Sequence, residues 1–235
     1  MKILGLETSA KACSAAVTEA GVVLASAFQC TGLTHSRTLM PMVEDMLQNA
    51  ELTMGDIGAV AVAAGPGSFT GIRIGIAAAK GLAWAGELPC AGVSTLSAMA
   101  RGLAHTDALI VCAMDARRSQ VYNALFQSRN GELFRLTPDR ALSLEELAAE
   151  LRERYPDRKK LVVGDGGGLC GAYLAEQAIP CALAPPHLLH QNAMGVALEA
   201  EALAAAGQLV TAQELMPVYL RPAQAERLRN ERTQK

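Results

Sequence analysis

Two acids stand where two short apolar runs end. Glu7 follows Ile3-Leu4-Gly5-Leu6, and Asp115 follows the run from Leu109 to Met114. A carboxylate at the end of a buried strand, beside a turn of backbone amides, can hold phosphate and a metal's water shell. Glu7, Thr8, Gly67 and Asp115 are therefore the candidate nucleotide or anion residues. Both strand ends depart from a good phosphate turn. No glycine lies from Thr8 to Thr18, so phosphate has no bare backbone to approach, and Asp115 is followed by Arg117 and Arg118. Acids that merely cap strand ends are the competing expectation.

Gly65-Pro66-Gly67-Ser68-Phe69-Thr70-Gly71 precedes a helical stretch. Free amides and the helix dipole can hold an anion there. The loop lacks the Gly-Lys-Ser/Thr of a nucleoside-triphosphate loop and the spacing of a dinucleotide fingerprint. A rigid turn that places the next helix is the favoured expectation. His187 and His190 have no acid or cysteine nearby in sequence, and His35 opens a helix that Thr34 can cap. The six cysteines form no C-x-x-C pair and read as reduced core thiols. No G-x-S-x-G elbow or H-E-x-x-H helix supports hydrolysis.

The elements that would position these residues follow one scheme twice. The first half reads as a three-strand meander (Ile3 to Leu6, Cys13 to Thr18, Val22 to Phe28), then a helix from about Ser36 to Ala50. A buried strand Ala59 to Ala63, a glycine turn and a helix Thr70 to Ala85 come next. The second half repeats it: strand Leu109 to Met114, acid, small turn, strand Gln120 to Phe126, a strand near Glu132 to Leu136, and helix Leu144 to Tyr155. Strand Leu161 to Val163, the turn Gly164-Asp165-Gly166 and another helix complete the repeat. Ser143 and Glu146 form a capping box for the Leu144 helix, and Thr211 with Glu214 suggests another. A duplicated β-β-β-α-β-α unit is the signature of the actin-like ATPase (ASKHA) fold, an α/β architecture. The expected division is 1–105, 106–222, and a polar tail 223–235.

Composition narrows the function. Hydrophobic residues make up 51% and charged residues 19%, which excludes a disordered chain. A net charge of −2 gives no basic footprint for gripping RNA directly. The apolar segment Ile72 to Ala85, broken by Arg73 and Lys80, is too short to span a bilayer. A cytoplasmic protein is expected.

Five segments in order resemble the TsaB (YeaZ) family. They are Ile3 to Ser9; His35-Ser36-Arg37 through Leu39 and Pro41; Gly65 to Arg73; Met114 to Arg118 with Val121-Tyr122; and Pro217-Val218-Tyr219-Leu220-Arg221. The resemblance implies a non-catalytic paralogue of TsaD, the subunit that transfers threonylcarbamoyl to adenosine in tRNAs reading codons that begin with A. It implies direct binding to TsaD, with TsaE joining the pair, and only indirect contact with tRNA. TsaD's metal-binding His-x-Glu-Gly-His segment has no match here: Thr95-Leu96-Ser97-Ala98-Met99 stands in its place. The resemblance therefore implies no metal or cofactor of its own. It leaves open ATP or ADP with Mg2+ at an interface shared with the partner. An active ATP-dependent phosphotransferase is the alternative expectation, and a metallopeptidase the weaker one.

Two helices suggest where a partner binds. The first spreads Leu39, Met40, Met42, Val43, Met46, Leu47 and Ala50 over about 160°, at 100° per residue. Burial against one sheet needs about 100°. The second helix carries only Arg73 and Lys80 as charges and gathers Gly71, Gly75, Ala78 and Ala85 on one strip. The expected interface is His35, Leu39, Met42, Val43 and Met46 with Gly71, Ile72, Gly75, Ala78 and Leu82, used for TsaD or for a homodimer in its absence.

Overall fold

The computed structural model describes residues 1–117 and 119–221. Arg118 and the expected tail lie outside the described residues. The first sheet is built from β1 (Lys2–Glu7), β2 (Cys13–Glu19), β3 (Val22–Gln29), β4 (Ile57–Gly65) and β5 (Cys90–Ser94). Its order is β3-β2-β1-β4-β5. The first three strands are antiparallel, and β1, β4 and β5 run parallel. Parallel strands are covered on both faces and so read as continuous apolar runs. β4, with the sequence IGAVAVAAG, is such a run, buried almost throughout.

The second sheet repeats this plan. β6 (Leu109–Asp115), β7 (Gln120–Arg129) and β8 (Glu132–Arg135) form the meander, and β10 (Lys160–Val163) and β11 (Ala182–Leu183) continue parallel from β6. The order β11-β10-β6-β7-β8 is the first sheet's order read from the other end. The short β9 (Arg140–Ser143) also pairs with β7. The sequence pattern shows neither β9 nor β11, because each is too short to display a period of two. Thr211 and Glu214 do bond as a capping pair, but they close a single turn, not a helix.

Among the described residues, six α-helices cover the sheets: α1 (His35–Asn49), α2 (Phe69–Ala85), α3 (Thr95–Arg101), α4 (Leu144–Arg154), α5 (Gly167–Glu176) and α6 (Ala193–Ala205). α1 and α2 lie on one face of the first sheet, where Leu39, Val43, Met46, Ile72, Ile76 and Ala79 meet Leu4, Leu6, Val60 and Val62. α4 and α5 cover the equivalent face of the second. The third helix of each half crosses over. α3 sends Leu96, Met99 and Ala100 into the second sheet's core, beside Ile110, Cys112 and Phe126. α6 sends Val196, Ala197 and Ala200 onto the first sheet, against Ile3, Ala59, Ala61 and Val93. The division 1–105 and 106–222 thus separates the strands but not the packing. Gly5 makes the α6 contact close, since a methyl there would stand 2.7 Å from the Ala193 carbonyl oxygen. No helix among the described residues is long and apolar enough to cross a membrane.

Candidate functional site

Both acid-bearing turns open on one cleft between the halves. It encloses about 540 Å3 and is lined by Ser9, Ala10, Lys11, Gly67, Ser68 and Phe69 from the first half. Met114, Asp115, Ala116, Arg117, Tyr122 and Asp165 line it from the second. The duplication explains the meeting: β1 and β6 occupy the same place in equivalent sheets, and their carboxyl ends face each other.

The two acids differ in kind. Glu7 is fully buried and lies behind the wall of the cleft. Its Oε1 accepts the Ser9 N–H at 2.5 Å, while its Oε2 has no hydrogen-bond partner among the described residues. Burial pushes its pKa up to about 7 against the opposing pull of Ser9, and the nearby Asp165 carboxylate adds to the rise. Asp115 stands in the cleft, accepts the Arg117 N–H at 2.7 Å and lies 3.6 Å from its guanidinium. Asp165 completes the acidic set. Burial raises its pKa although Gln191 Nε2 donates to it at 2.9 Å. Its place in the second glycine turn, after an apolar strand, was the signal that could have marked it from sequence.

Two carbonyls of the first turn are bonded by the chain itself. Ser9's carbonyl accepts the Ser68 N–H at 2.7 Å. Ala10's carbonyl bonds His35 Nε2 at 2.7 Å, and its methyl packs against the second sheet's core. Gly67 serves this contact, because a methyl there would meet the Ser9 oxygen at 2.5 Å. Gly71 lets α2 come up against the Thr8 carbonyl, while Thr8 Oγ1 donates to the Gly71 carbonyl at 2.8 Å. The glycine loop is thus a close-packed turn, and Ser68 caps α2 by accepting the Gly71 N–H. Thr34 gives α1 no such side-chain cap.

The expected interface residues divide. Leu39, Val43, Met46, Gly71, Ile72 and Gly75 are buried within this chain. Leu39, Val43, Met46 and Ile72 pack on the first sheet, and Gly71 and Gly75 face the end of β1, where a methyl on Gly75 would strike Thr8 Oγ1 at 2.5 Å. These six are covered by other parts of the same chain. His35, Met42, Ala78 and Leu82 are half-buried, and the exposed apolar positions are Met40 and Pro41 on α1 and Ala77, Gly81, Trp84 and Ala85 on α2, beside the exposed Arg37, Glu44, Asp45 and Arg73. Trp84, the only tryptophan, is 72% exposed. A lone large aromatic among small residues at the end of an apolar helix is the signal that could have singled it out.

A family model described as "TsaD: tRNA N6-adenosine threonylcarbamoyltransferase" matches residues 29–217. The tRNA threonylcarbamoyladenosine biosynthesis protein TsaB of Escherichia coli (strain K12) is 33% identical over 240 residues, covering 94% of this chain and 95% of that protein. The protein of the same name from Bacillus subtilis (strain 168) is 37% identical over 164 residues, covering 70% and 71%. The chain belongs to the TsaB family. The solved structure of YeaZ from Pseudomonas aeruginosa superposes with a TM-score of 0.78 at 31% identity, covering 93% of this chain and 99% of that one. Component A of the Acidaminococcus fermentans (R)-2-hydroxyglutaryl-CoA dehydratase shares only the fold, at a TM-score of 0.54 and 13% identity over 87% of this chain and 99% of that one. The fold is that of the actin-like ATPases.

In this chain the C-terminal motif is a strap across the cleft mouth. Val218 donates its N–H to the Ala64 carbonyl at 2.8 Å. Tyr219 stacks on Phe69 with ring centres 4.8 Å apart, and Arg73 covers the same ring at 3.8 Å while donating to the Tyr219 hydroxyl. Arg221 then reaches the other wall, donating to the Ala116 carbonyl at 2.9 Å and bonding Gln120. Thr95 and Met99 are buried.

Proposed function

We propose that this chain is a non-catalytic subunit of the assembly that forms threonylcarbamoyladenosine in tRNA, and that it binds TsaD directly, with TsaE joining the pair. The observation that carries this reading is the outward face of α1 and α2. On α2, Ala77, Gly81, Trp84 and Ala85 are exposed, small residues around one aromatic; on α1, Met40 and Pro41 are exposed among Arg37, Glu44 and Asp45. Such a surface suits a helix-on-helix contact anchored by tryptophan. A paralogue with the same fold presents an equivalent helix pair, so the two pairs can pack together. Three further features favour a scaffold over chemistry. The first turn's Ser9 and Ala10 carbonyls are bonded within the chain, Glu7 lies behind the cleft wall, and Thr95 and Met99, which the resemblance aligns with TsaD's metal-binding segment, are core side chains.

The test replaces Trp84 with Glu and Ala77 with Arg, one at a time. Both positions are exposed, so the fold is expected to persist. Each variant should fail to co-purify with TsaD, and threonylcarbamoyladenosine measured by mass spectrometry of tRNA nucleosides should fall in cells carrying only that variant. Folded variants that hold TsaD as tightly as the parent would remove this face from the reading. ATP turnover by the isolated chain, abolished by Asp115→Ala, would favour the phosphotransferase alternative.

A further inference from the structure

β3 is the edge strand of the first sheet. Exposed edges are usually protected by charge, proline or a bulge, because their unpaired backbone groups recruit other strands. β3 has the sequence VVLASAFQ, with neither charge nor proline. A bulge opposite Val17 and Thr18 interrupts its first residues, but Ala25–Gln29 keep regular register with β2. Their outer backbone edge has no strand partner among the described residues. Phe28 lies on this stretch and is 47% exposed.

A groove of about 730 Å3 runs beside this edge, between β3 and α1. Leu24 to Ala27 and Gln29 form one wall, and Arg37, Thr38, Pro41, Met42, Asp45 and Asn49 stand on the other. Only five residues join β3 to α1, so the helix runs back along the strand. Arg37 therefore lies toward the Gln29 end and Asp45 toward the Leu24 end. Both are exposed, and neither forms an ion pair among the described residues. Eight helical residues separate them by about 12 Å. Four residues of extended chain span about 13 Å and return a side chain to the same face.

We propose that this groove docks an extended segment of another protein, which adds to Ala25–Gln29 as an antiparallel strand and carries an acid followed, four residues later, by a lysine or arginine. An added antiparallel strand runs parallel to α1, so its acid meets Arg37 first and its cation meets Asp45 next. Alternate side chains point to the other face and are apolar, to cover Phe28. Main-chain hydrogen bonds supply affinity and the charge pair sets register, as in strand addition generally. A second copy of β3 has no charge to offer either residue, which favours a different chain as the occupant.

The probe is a fluorescein-labelled peptide, Thr-Val-Glu-Val-Ser-Val-Lys-Val-Thr, compared with its Glu/Lys-exchanged form by fluorescence anisotropy on the full chain. The glutamate-first peptide should bind saturably and at least tenfold tighter than the exchanged one. The double variant Arg37→Glu with Asp45→Lys should reverse that order. Methylating alternate peptide nitrogens on the strand-pairing side should abolish binding. The proposal is overturned by absent saturation, by equal binding of both peptides to both proteins, or by full binding of the methylated peptide. A concentration-dependent dimer in sedimentation, lost in Phe28→Lys and unaffected by the peptide, would also overturn it, since the groove edge would then be closed by a second copy.

Discussion

Glu7 links the cleft to stability. Its folded pKa of about 7 lies above its ordinary value of 4.5 because burial penalises the carboxylate. Below 4.5 both folded and unfolded chains hold the proton, and the residue leaves stability at its full value. Between 4.5 and 7 the unfolded chain releases its proton first, so stability falls with rising pH by up to about 3 kcal/mol. Glu7→Gln keeps an oxygen for the Ser9 N–H and has no charge to bury. Urea unfolding should show this variant about 3 kcal/mol more stable than the parent at pH 8, with a flatter profile from pH 5 to 8. Gly71 gives a second expectation at this scale. A methyl there drives into the Thr8 carbonyl, so Gly71→Ala should lower unfolding free energy by about 2–3 kcal/mol. The sequence placed Glu7 and Asp115 at strand ends, and both turns open on one cleft, but only Asp115 lines it. It did not reveal that Glu7 sits behind the wall, because that depends on the Gly65–Gly71 loop pressing on Ser9 from far along the chain.

At the scale of elements, hydrophobic periodicity located α1, α2 and α4 to within a residue or so. It did not identify their buried faces, since a helix as apolar as α2 gives a wheel with little contrast. The structure resolves it through glycine: Gly71 and Gly75 meet Thr8 at the end of β1, which leaves Trp84 outside. If TsaD covers that face, 5-fluorotryptophan placed in this chain alone should show one fluorine resonance that loses contact with solvent when TsaD is added. An unchanged resonance in a complex proven by sedimentation would place the contact elsewhere. The strap makes a separate prediction. Arg221→Ala removes its bonds to Ala116 and Gln120. Amide exchange should then quicken in the turn around Ala116–Gln120, while the β6 core stays protected. Strap and turn were both legible as motifs, but their contact joins residues about a hundred positions apart and has no local signature.

For the whole molecule, the duplication was legible because each half carries its own strand, acid and glycine-turn pattern. The exchange of third helices was not, since α3 and α6 follow their halves in sequence like any other helix. The exchange predicts that residues 1–105 do not fold alone. That fragment retains α3, but the partners of Leu96 and Met99 are missing, and one face of its sheet lacks α6. It should be insoluble or show weak tertiary signals in near-UV circular dichroism. Co-expressing residues 106–235 should recover a soluble, folded pair. A cooperative thermal transition in 1–105 by itself would contradict this. The same exchange has a consequence on the ribosome. About a hundred residues separate Ser94, which ends the first sheet, from the end of α6. At roughly 5–20 residues per second, the sheet's alanine and valine face waits on the order of ten seconds for its cover. During that interval the nascent chain displays Ile3, Ala61 and Val93 to whatever waits at the exit tunnel. Synthesis of this protein should therefore be more sensitive to loss of ribosome-associated chaperones than refolding of the finished chain is to their absence.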